Sequence, residues 1–573
     1  MPLPHDGGGA PESRVVRQLT EAILFEGLVP YATEPHPKGR LFSWGTDTQF
    51  RCVGRIGAFG RIRILADTVE ARGAGGWRRA TLSELVQSLR AADEASKQLL
   101  HELEQTAALL TWNRANAPAR IRRFKSYSEL DSALDEGHPY HPCFKARTGF
   151  SLVDQQHYAP ESGERFQLEW LAAPRDCLRT ALPTGASDFW ADELGGETVE
   201  ELRRRMSDAG APDLELAPIH PWQLAALEGG ALRDQLLAGR VRRLGAAGDL
   251  YRASQSVRTL FNDSRPDRPN VKLPMNIVNS SAARILDPAT VCTAPAVSAW
   301  LKSIVERDPV LNTSHRLILV GEYAGMIADL GPPLAGQIGA IWRENLQAKL
   351  RPGESAAPLN ALMVVEADGR PFLADWIERH GLARWLAEFI DVVVTPVFHL
   401  LAHHGVATEC HGQNLILVHR DGWPMALAMQ DFHDSVEFVP GFLRKPEDLP
   451  DFAALDPAYA RFGPNESYWM DDVAQLSALF VDCLFVYNLA EISHLLEHFY
   501  GFGEARFWAL VRAGIEDHAR SAGLDDRLRQ LALFEPFIRT ESLLSRKIRR
   551  SEADHFHIIE NSLARAEPIR RSA

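Results

Sequence analysis

The 573-residue chain has only six cysteines, and no two of them form a Cys-x-x-Cys pair. Cys52, Cys143, Cys177, Cys292, Cys410 and Cys483 are scattered. That spacing indicates neither a disulfide framework nor a thiolate zinc site and points to a reduced, cytoplasmic setting. Positive charge is also short. Sixty-two Lys and Arg stand against 75 Asp and Glu, for a formal net charge of −13. This argues against a nucleic-acid binder acting through whole-protein charge, while leaving room for a local basic pocket. The chain has no Gly-x-x-x-x-Gly-Lys-[Ser/Thr] loop, no Gly-x-Gly-x-x-Gly after a strand and no Gly-x-Ser-x-Gly elbow. A Walker nucleotidase, a dinucleotide-binding enzyme and a serine hydrolase are therefore disfavoured. Long uncharged apolar runs are missing as well. The most apolar stretches, Trp385 to Leu401 and Leu476 to Leu489, carry Glu388, Asp391 and Asp482, and read as buried helices rather than membrane spans. Residues 1–14 are polar and rich in Gly and Pro without an apolar segment, and are expected to be a disordered leader rather than a signal peptide.

What is present is ordinary for a globular protein, 45% hydrophobic and 24% charged, and the length calls for more than one domain. An amphipathic helix is expected from about Val15 to Phe25, strands between Arg51 and Glu70, and helix from Thr81 to Asn113. Leu317 to Val320 and Leu359 to Val365 read as strands, and Val473 to Phe499 and Phe507 to Leu544 as helices.

Three stretches carry chemistry. In the first, His138-Pro139-Tyr140-His141-Pro142 leads into Lys145 and Arg147. Proline after each histidine resists the regular helix that would align two metal-binding rings. An anion-binding loop using Lys145 and Arg147 suits the residues better, with a solvated basic loop as the plain alternative. In the second, Ser254, Ser256 and Arg258 would share one face of an extended segment that continues into Thr259. Lys272 to Arg284 then reads as a strand running into a helix start capped by Asn279, Ser280 or Ser281, with free N–H groups for an anion between Lys272 and Arg284.

The third is a hairpin, Leu415 to Val418 and Met425 to Met429 across the turn Arg420-Asp421-Gly422. Glu409, His411, Gln413 and Asn414 stand before it, and Asp431 follows it. Hard oxygens and amide or imidazole donors gathered in this way suit a divalent cation carrying phosphates, or simply a polar surface turn.

Taken in order, these motifs resemble the IucA/IucC family, the siderophore synthetases that work independently of nonribosomal peptide synthetases. The resemblance runs from about Trp44 to Leu563. It is carried by His138-Pro139-x-His141-Pro142-x-x-Lys145-x-Arg147, His220-Pro221-Trp222-Gln223, Ser256-Val257-Arg258-Thr259, Lys272-Leu273 with Ser280 and Arg284, Arg343-Glu344, and Glu409-x-His411-x-Gln413-Asn414 with Asp431.

The resemblance implies an α+β, multidomain cradled-hand fold: a thumb over 15–135, β-rich fingers over 136–360 and a palm over 361–573, distantly like the C-terminal lobe of a protein kinase. It implies ATP-dependent adenylation of a carboxylate of citrate or a related polycarboxylate, then condensation with an amine or alcohol, releasing pyrophosphate and AMP. Citrate half-amides, succinate half-amides and α-ketoglutarate are the alternative acids. Lys145, Ser256, Arg258, Thr259, Lys272, Ser280, Arg284, His411, Gln413, Asn414 and Asp431 would hold ATP. His138, His141, Lys272, Arg284 and His411 would serve the chemistry, and Glu409, Asn414 and Asp431 would hold Mg2+. Dimers are common among relatives, and small carboxylates and amines or alcohols are the implied partners, with no nucleic acid and no membrane. Gln430 before Asp431, and Asp434 after it, depart from the family's usual Arg and Gly. Two readings of other classes stand beside this one. One is a kinase-like phosphotransferase, and the other a metal-binding protein using His138, His141, His411, His555 and His557.

Overall fold

The computed structural model describes residues 10–117, 121–183, 186–279, 282–549 and 555–565. It is a mixed helix-and-sheet protein, as expected. Helix Pro11–Phe25 begins inside the stretch read as a leader, and only its last residues, 10–14, fall within the described part. The strands foreseen between Arg51 and Glu70 form, and belong to a six-stranded antiparallel sheet. The long helical stretch that follows is two helices, Leu82–Ser88 and Asp93–Asn116. The first starts on a reciprocal Thr81–Glu84 capping box, which satisfies two N–H groups that a helix end leaves open.

An eight-stranded antiparallel sheet occupies the middle of the chain. Its order is Glu215–Ile219, Phe166–Ala173, Arg242–Ala253, Thr259–Asn262, Asn270–Lys272, Gly339–Arg343, Glu322–Ala328, Leu178–Ala181. A four-stranded sheet follows, in which the hairpin Leu415–Arg420/Trp423–Gln430 forms as foreseen. Ile318–Val320 runs parallel to its second strand.

Two helices pass the length and composition of a membrane span, Leu382–His404 and Val473–Tyr500, both longer than the runs read from the sequence. Their most apolar windows are 83% and 61% buried inside the protein, as befits core helices. Three local expectations are corrected. Leu359–Met363 is a short 3-10 helix rather than a strand: the Ala361 carbonyl accepts the Val364 N–H, and the Asn360 N–H donates to Gly412 O. Phe537–Glu541 is a strand paired with Phe556–Glu560, within a stretch read as helical. Met275–Asn279 turns into strand Ala282–Arg284 rather than into a helix, and the next helix starts only at Pro288.

The apolar packing divides the chain unevenly. One continuous core joins residues of the first region, such as Val15, Leu85 and Leu134, to Phe389, Phe485 and Leu563. The eight-stranded sheet keeps a core of its own, built from Trp170, Trp190, Leu260 and Trp342 among others. Buried ion pairs tie the first region to the C-terminal one. Arg61 and Arg63 both hold Glu491, and Arg61 and Glu491 are 430 residues apart.

Candidate active site

Strand register assembles the site. Lys272 lies opposite Ile341, and Arg343 opposite Asn270, so Lys272 and Arg343 are diagonal neighbours on one face of the eight-stranded sheet. Glu322 is paired with Arg343 on the other side. The parallel register Val320↔Gln430 then brings Glu322 to the same end of the sheets as Asp431, Phe432 and His433. Asp431 takes a left-handed conformation, φ +73°, that Asp tolerates better than most side chains. The Phe432 N–H donates to Glu322 Oε1 at 3.1 Å.

At this junction the Lys272 ammonium donates to Asp431 Oδ1 at 2.7 Å and lies 3.2 Å from His433 Nε2. His433 is 3.4 Å from Asp431 and 3.2 Å from Asp434. Burial works against a charged His433, but Asp434 and Asp431 outweigh it and hold the ring at about 8. Burial lowers Lys272, opposed by Asp431.

Arg258 and Arg284 face the same cleft with few partners. Among the described residues, Arg258 donates to Ile285 O at 2.6 Å and Arg284 to Asn279 O at 3.1 Å, both backbone carbonyls. Arg343 reaches no nearer than 4.0 Å to Asp431. Burial and the neighbouring Arg258 push Arg284 down to about 10.

Glu409 is open to solvent but set deep in the cleft. That depth, with Asp434 and Asp431, raises it to about 8, so it keeps its proton at neutral pH. Burial also raises Glu322. Asp431 and Asp434, both held below the usual carboxylate range, stand against three guanidinium groups, one ammonium and His433, and the cleft favours an anion.

His411 accepts the N–H groups of Gln413 and Asn414 at Nδ1, 3.3 Å each. Burial pushes the ring down to about 4, so it is neutral. Its hydrogen-bond pattern assigns the remaining proton to Nε2, an outward donor suited to phosphate. His138 is built the same way. Its Nδ1 accepts from Tyr140 and His141, burial holds it at about 3, and its charge interacts with that of His411. Of the two, His138 is half-buried and keeps the more solvent access. His141 is 2% exposed, its Nδ1 accepts from Cys143, and the charges near it are those of Lys547 and His138.

Other expected residues are placed differently. Lys145 and Arg147 do not form an anion loop. Both are buried and both donate to Glu161, with Arg147 Nη1 also giving 2.7 Å to Gln155. The carboxylate between them already meets their charge, so Lys145 is not free for ATP. Ser254 to Arg258 is not extended. It is a turn in which Val257 has φ +69°, Ser256 Oγ accepts the Thr259 N–H, and Thr259 itself is buried in the next strand. Ser280 lies outside the described residues. The Gln413 main-chain carbonyl accepts from Gln430 Nε2, and the Asn414 side chain donates to Glu409 O.

In the cleft, the carboxylate and imidazole ligand atoms that lie within 4.8 Å of one another are those of Glu322, Asp431 and His433. Glu322 replaces Glu409 beside Asp431 and had no role assigned from sequence, nor had His433 or Arg343. None of the five histidines of the metal-binding reading joins a ligand group among the described residues.

A mixed fold with a cationic cleft between two sheets suits a protein that handles anionic small molecules, and comparisons with known proteins narrow the class. The model of the IucA / IucC family matches residues 126–364, and one described as ferric iron reductase FhuF-like transporter matches residues 383–555. A Bacillus anthracis protein, citryl-spermidine/3,4-dihydroxybenzoyl-citryl-spermidine:spermidine ligase, is 33% identical over 97% of this chain and 94% of its own. The crystal structure of petrobactin biosynthesis protein AsbB from Bacillus anthracis superposes with a TM-score of 0.91 at 32% identity, covering 97% of this chain and 95% of that one. ATP-bound aerobactin synthetase IucA from Klebsiella pneumoniae shares the fold, with a TM-score of 0.77 at 18% identity over 97% and 99% of the two chains. The chain belongs to the IucA/IucC family of siderophore synthetases.

Proposed function

We propose that the protein joins a carboxylate of citrate, or of a citryl half-amide, to an amine at the expense of ATP, releasing pyrophosphate and AMP. The observation that carries this reading is the convergence of Lys272, Arg258, Arg284 and Arg343 on a cleft whose acids are partly protonated. The middle region and the C-terminal third would act as fingers and palm, with the first region as thumb.

In the first step a carboxylate oxygen of the acid attacks the α-phosphorus of ATP, and the bond to the bridging oxygen breaks as pyrophosphate leaves. A carboxylate is already ionised at neutral pH and needs no base for this. Lys272, Arg258, Arg284 and Arg343 are set to hold the phosphates and the acid and to offset charge developing in the transition state. The neutral Nε2–H groups of His411 and His138 are set to donate to phosphate oxygens. The hard oxygens of Glu322 and Asp431 fit Mg2+, which would supply phosphate neutralisation when bound. In the second step the amine nitrogen attacks the acyl carbon, AMP leaves, and the nitrogen gives up a proton. Relatives in the family are the support for amines. The name of the Bacillus anthracis ligase carries spermidine and a citryl group, which puts a polyamine first among nucleophiles to try.

Pyrophosphate release measured across di- and tricarboxylates, each with polyamines and amino acids, tests the proposal. ADP rather than AMP as product would replace it with phosphotransfer.

A further inference from the structure

A second group of ligand-type side chains lies outside the cleft. Helix Leu382–His399 passes directly into one π-helical turn, Leu400–His404, and ends on Gly405 at φ +80°. An added Cβ at Gly405 would lie 2.3 Å from Phe442 O, so the sharp exit is reserved for glycine. His399 and His403 are four residues apart, and the wider turn brings His404 round to the same side. The rings of His399 and His403 stack at 4.6 Å and 14°.

All three face Asp308, at the end of helix Pro288–Arg307. Asp308 Oδ1 accepts the N–H groups of Val310 at 2.8 Å and Leu311 at 3.2 Å. Its Oδ2 is left for the histidines: His404 Nε2 at 2.8 Å, His399 Nε2 at 3.1 Å and His403 Nε2 at 3.8 Å.

Hydrogen bonding accounts for two of these rings and fails for the third. His403 Nε2 stops short of Asp308 Oδ2. A metal ion would engage the Nε2 atoms of all three rings. A tetrahedral shell with ligands at about 2.05 Å has edges of about 3.3 Å, and the three distances to Asp308 bracket that length. The four ligand atoms lie within 4.8 Å of one another. His399 Nδ1 is 2.8 Å from His518 Nε2, an outer partner of the kind that fixes a ligating ring. A cavity of about 260 Å³, lined by Asp308, His403 and His404 together with Arg307, Arg444 and Lys445, provides a path for entry. Arg307 is paired with Asp448 at 2.9 Å, while Arg444 and Lys445 make the rim cationic, which suits a small anion beside a bound cation.

We propose that Asp308, His399, His403 and His404 form a binding site for one divalent first-row transition cation, with Zn2+ the best match to three imidazoles and one carboxylate oxygen.

The test uses the full-length chain without a histidine tag, stripped with a chelator and reloaded with Zn2+ or Co2+. Wild-type protein is expected to retain the ion after desalting, to gain thermal stability from Zn2+, and to give the intense visible bands of tetrahedral Co2+. The double variant H403Q/H404Q should bind at least about 100-fold more weakly, since losing even an outer partner costs 10–100-fold. Asp431→Asn, which alters the cleft, should keep both the Co2+ bands and the retained ion. Equal retention by wild type and H403Q/H404Q, or loss of the bands in Asp431→Asn, would overturn the proposal. Should H403Q/H404Q fail to fold, Asp308→Asn keeps the Oδ1 cap and removes the ligand charge, and retention by that variant would count equally against the site.

Discussion

Two clusters of buried cations in this protein look alike in the sequence and differ in what surrounds them. Lys145 and Arg147 share Glu161, and Gln155 takes a further guanidinium hydrogen. Gln155 is in turn fixed by Asn113 at 2.9 Å. Arg258, Arg284 and Arg343 have no carboxylate within hydrogen-bond reach among the described residues, and Lys272 shares Asp431 with His433. The first cluster closes on itself and locks a loop against its neighbours. The second keeps donors in reserve and can serve a polyanion. Charge left unmatched, rather than charge as such, separates a binding site from a structural bridge.

The comparison can be broken at either end. Glu161→Ala leaves two buried cations without their carboxylate and should destabilise the fold by about 3–5 kcal/mol, read by denaturant unfolding. A folded variant of wild-type stability that instead loses ATP binding would move Lys145 and Arg147 back to the ligand site. Lys272→Ala should leave the melting temperature within a few degrees and slow pyrophosphate release by about 10²–10³-fold. Wild-type release from that variant would remove Lys272 from the chemistry.

Two smaller effects sharpen the contrast through pH. His433, held at about 8, is charged below that value and loses its charge above it. The KM for ATP should therefore rise a few-fold as pH passes 8, and His433→Gln should flatten that rise. Glu409 is raised to about 8, so its protonated form favours the fold. Its contribution is fully present below the ordinary carboxylate range and is lost as pH climbs through 8. The melting temperature of wild type relative to Glu409→Gln should fall between pH 5 and pH 8.5, and a difference independent of pH would refute the shift.

Much of the site was readable because its parts are local. The hairpin is two short apolar runs around an Asp-Gly turn, and the polar residues at its mouth stand within a few positions of it. Glu322 was not readable, because its nearness to Asp431 depends on a parallel pairing between strands more than a hundred residues apart in the chain. His433 and Asp434 were in view, but their direction depends on the left-handed backbone of Asp431. Lys145 and Arg147 were misread because Glu161 returns to them only after the helix Leu152–Tyr158 has folded the chain back. Ser280 and Ser281 suit a helix cap and a hairpin turn equally, so the change from strand to helix was placed too early. Of the histidines that meet Asp308, His399 lies in a run that reads as an apolar helix and His403 and His404 just beyond its end, since the widened turn leaves no mark on hydrophobic spacing.

The core shared by the first and last regions bears on how the protein is made. Glu26 accepts the N–H groups of Leu544 and Ser545, and Arg61 waits for Glu491. At about 5–20 residues per second of synthesis, the 430 residues between Arg61 and Glu491 take roughly 20–90 s to appear. Throughout that interval Phe59 lacks Phe485 and Trp508, the rings it meets in the folded protein, while the eight-stranded sheet has a core of its own. A truncation before residue 491 is therefore expected to leave Arg61 and Arg63 buried without their carboxylate.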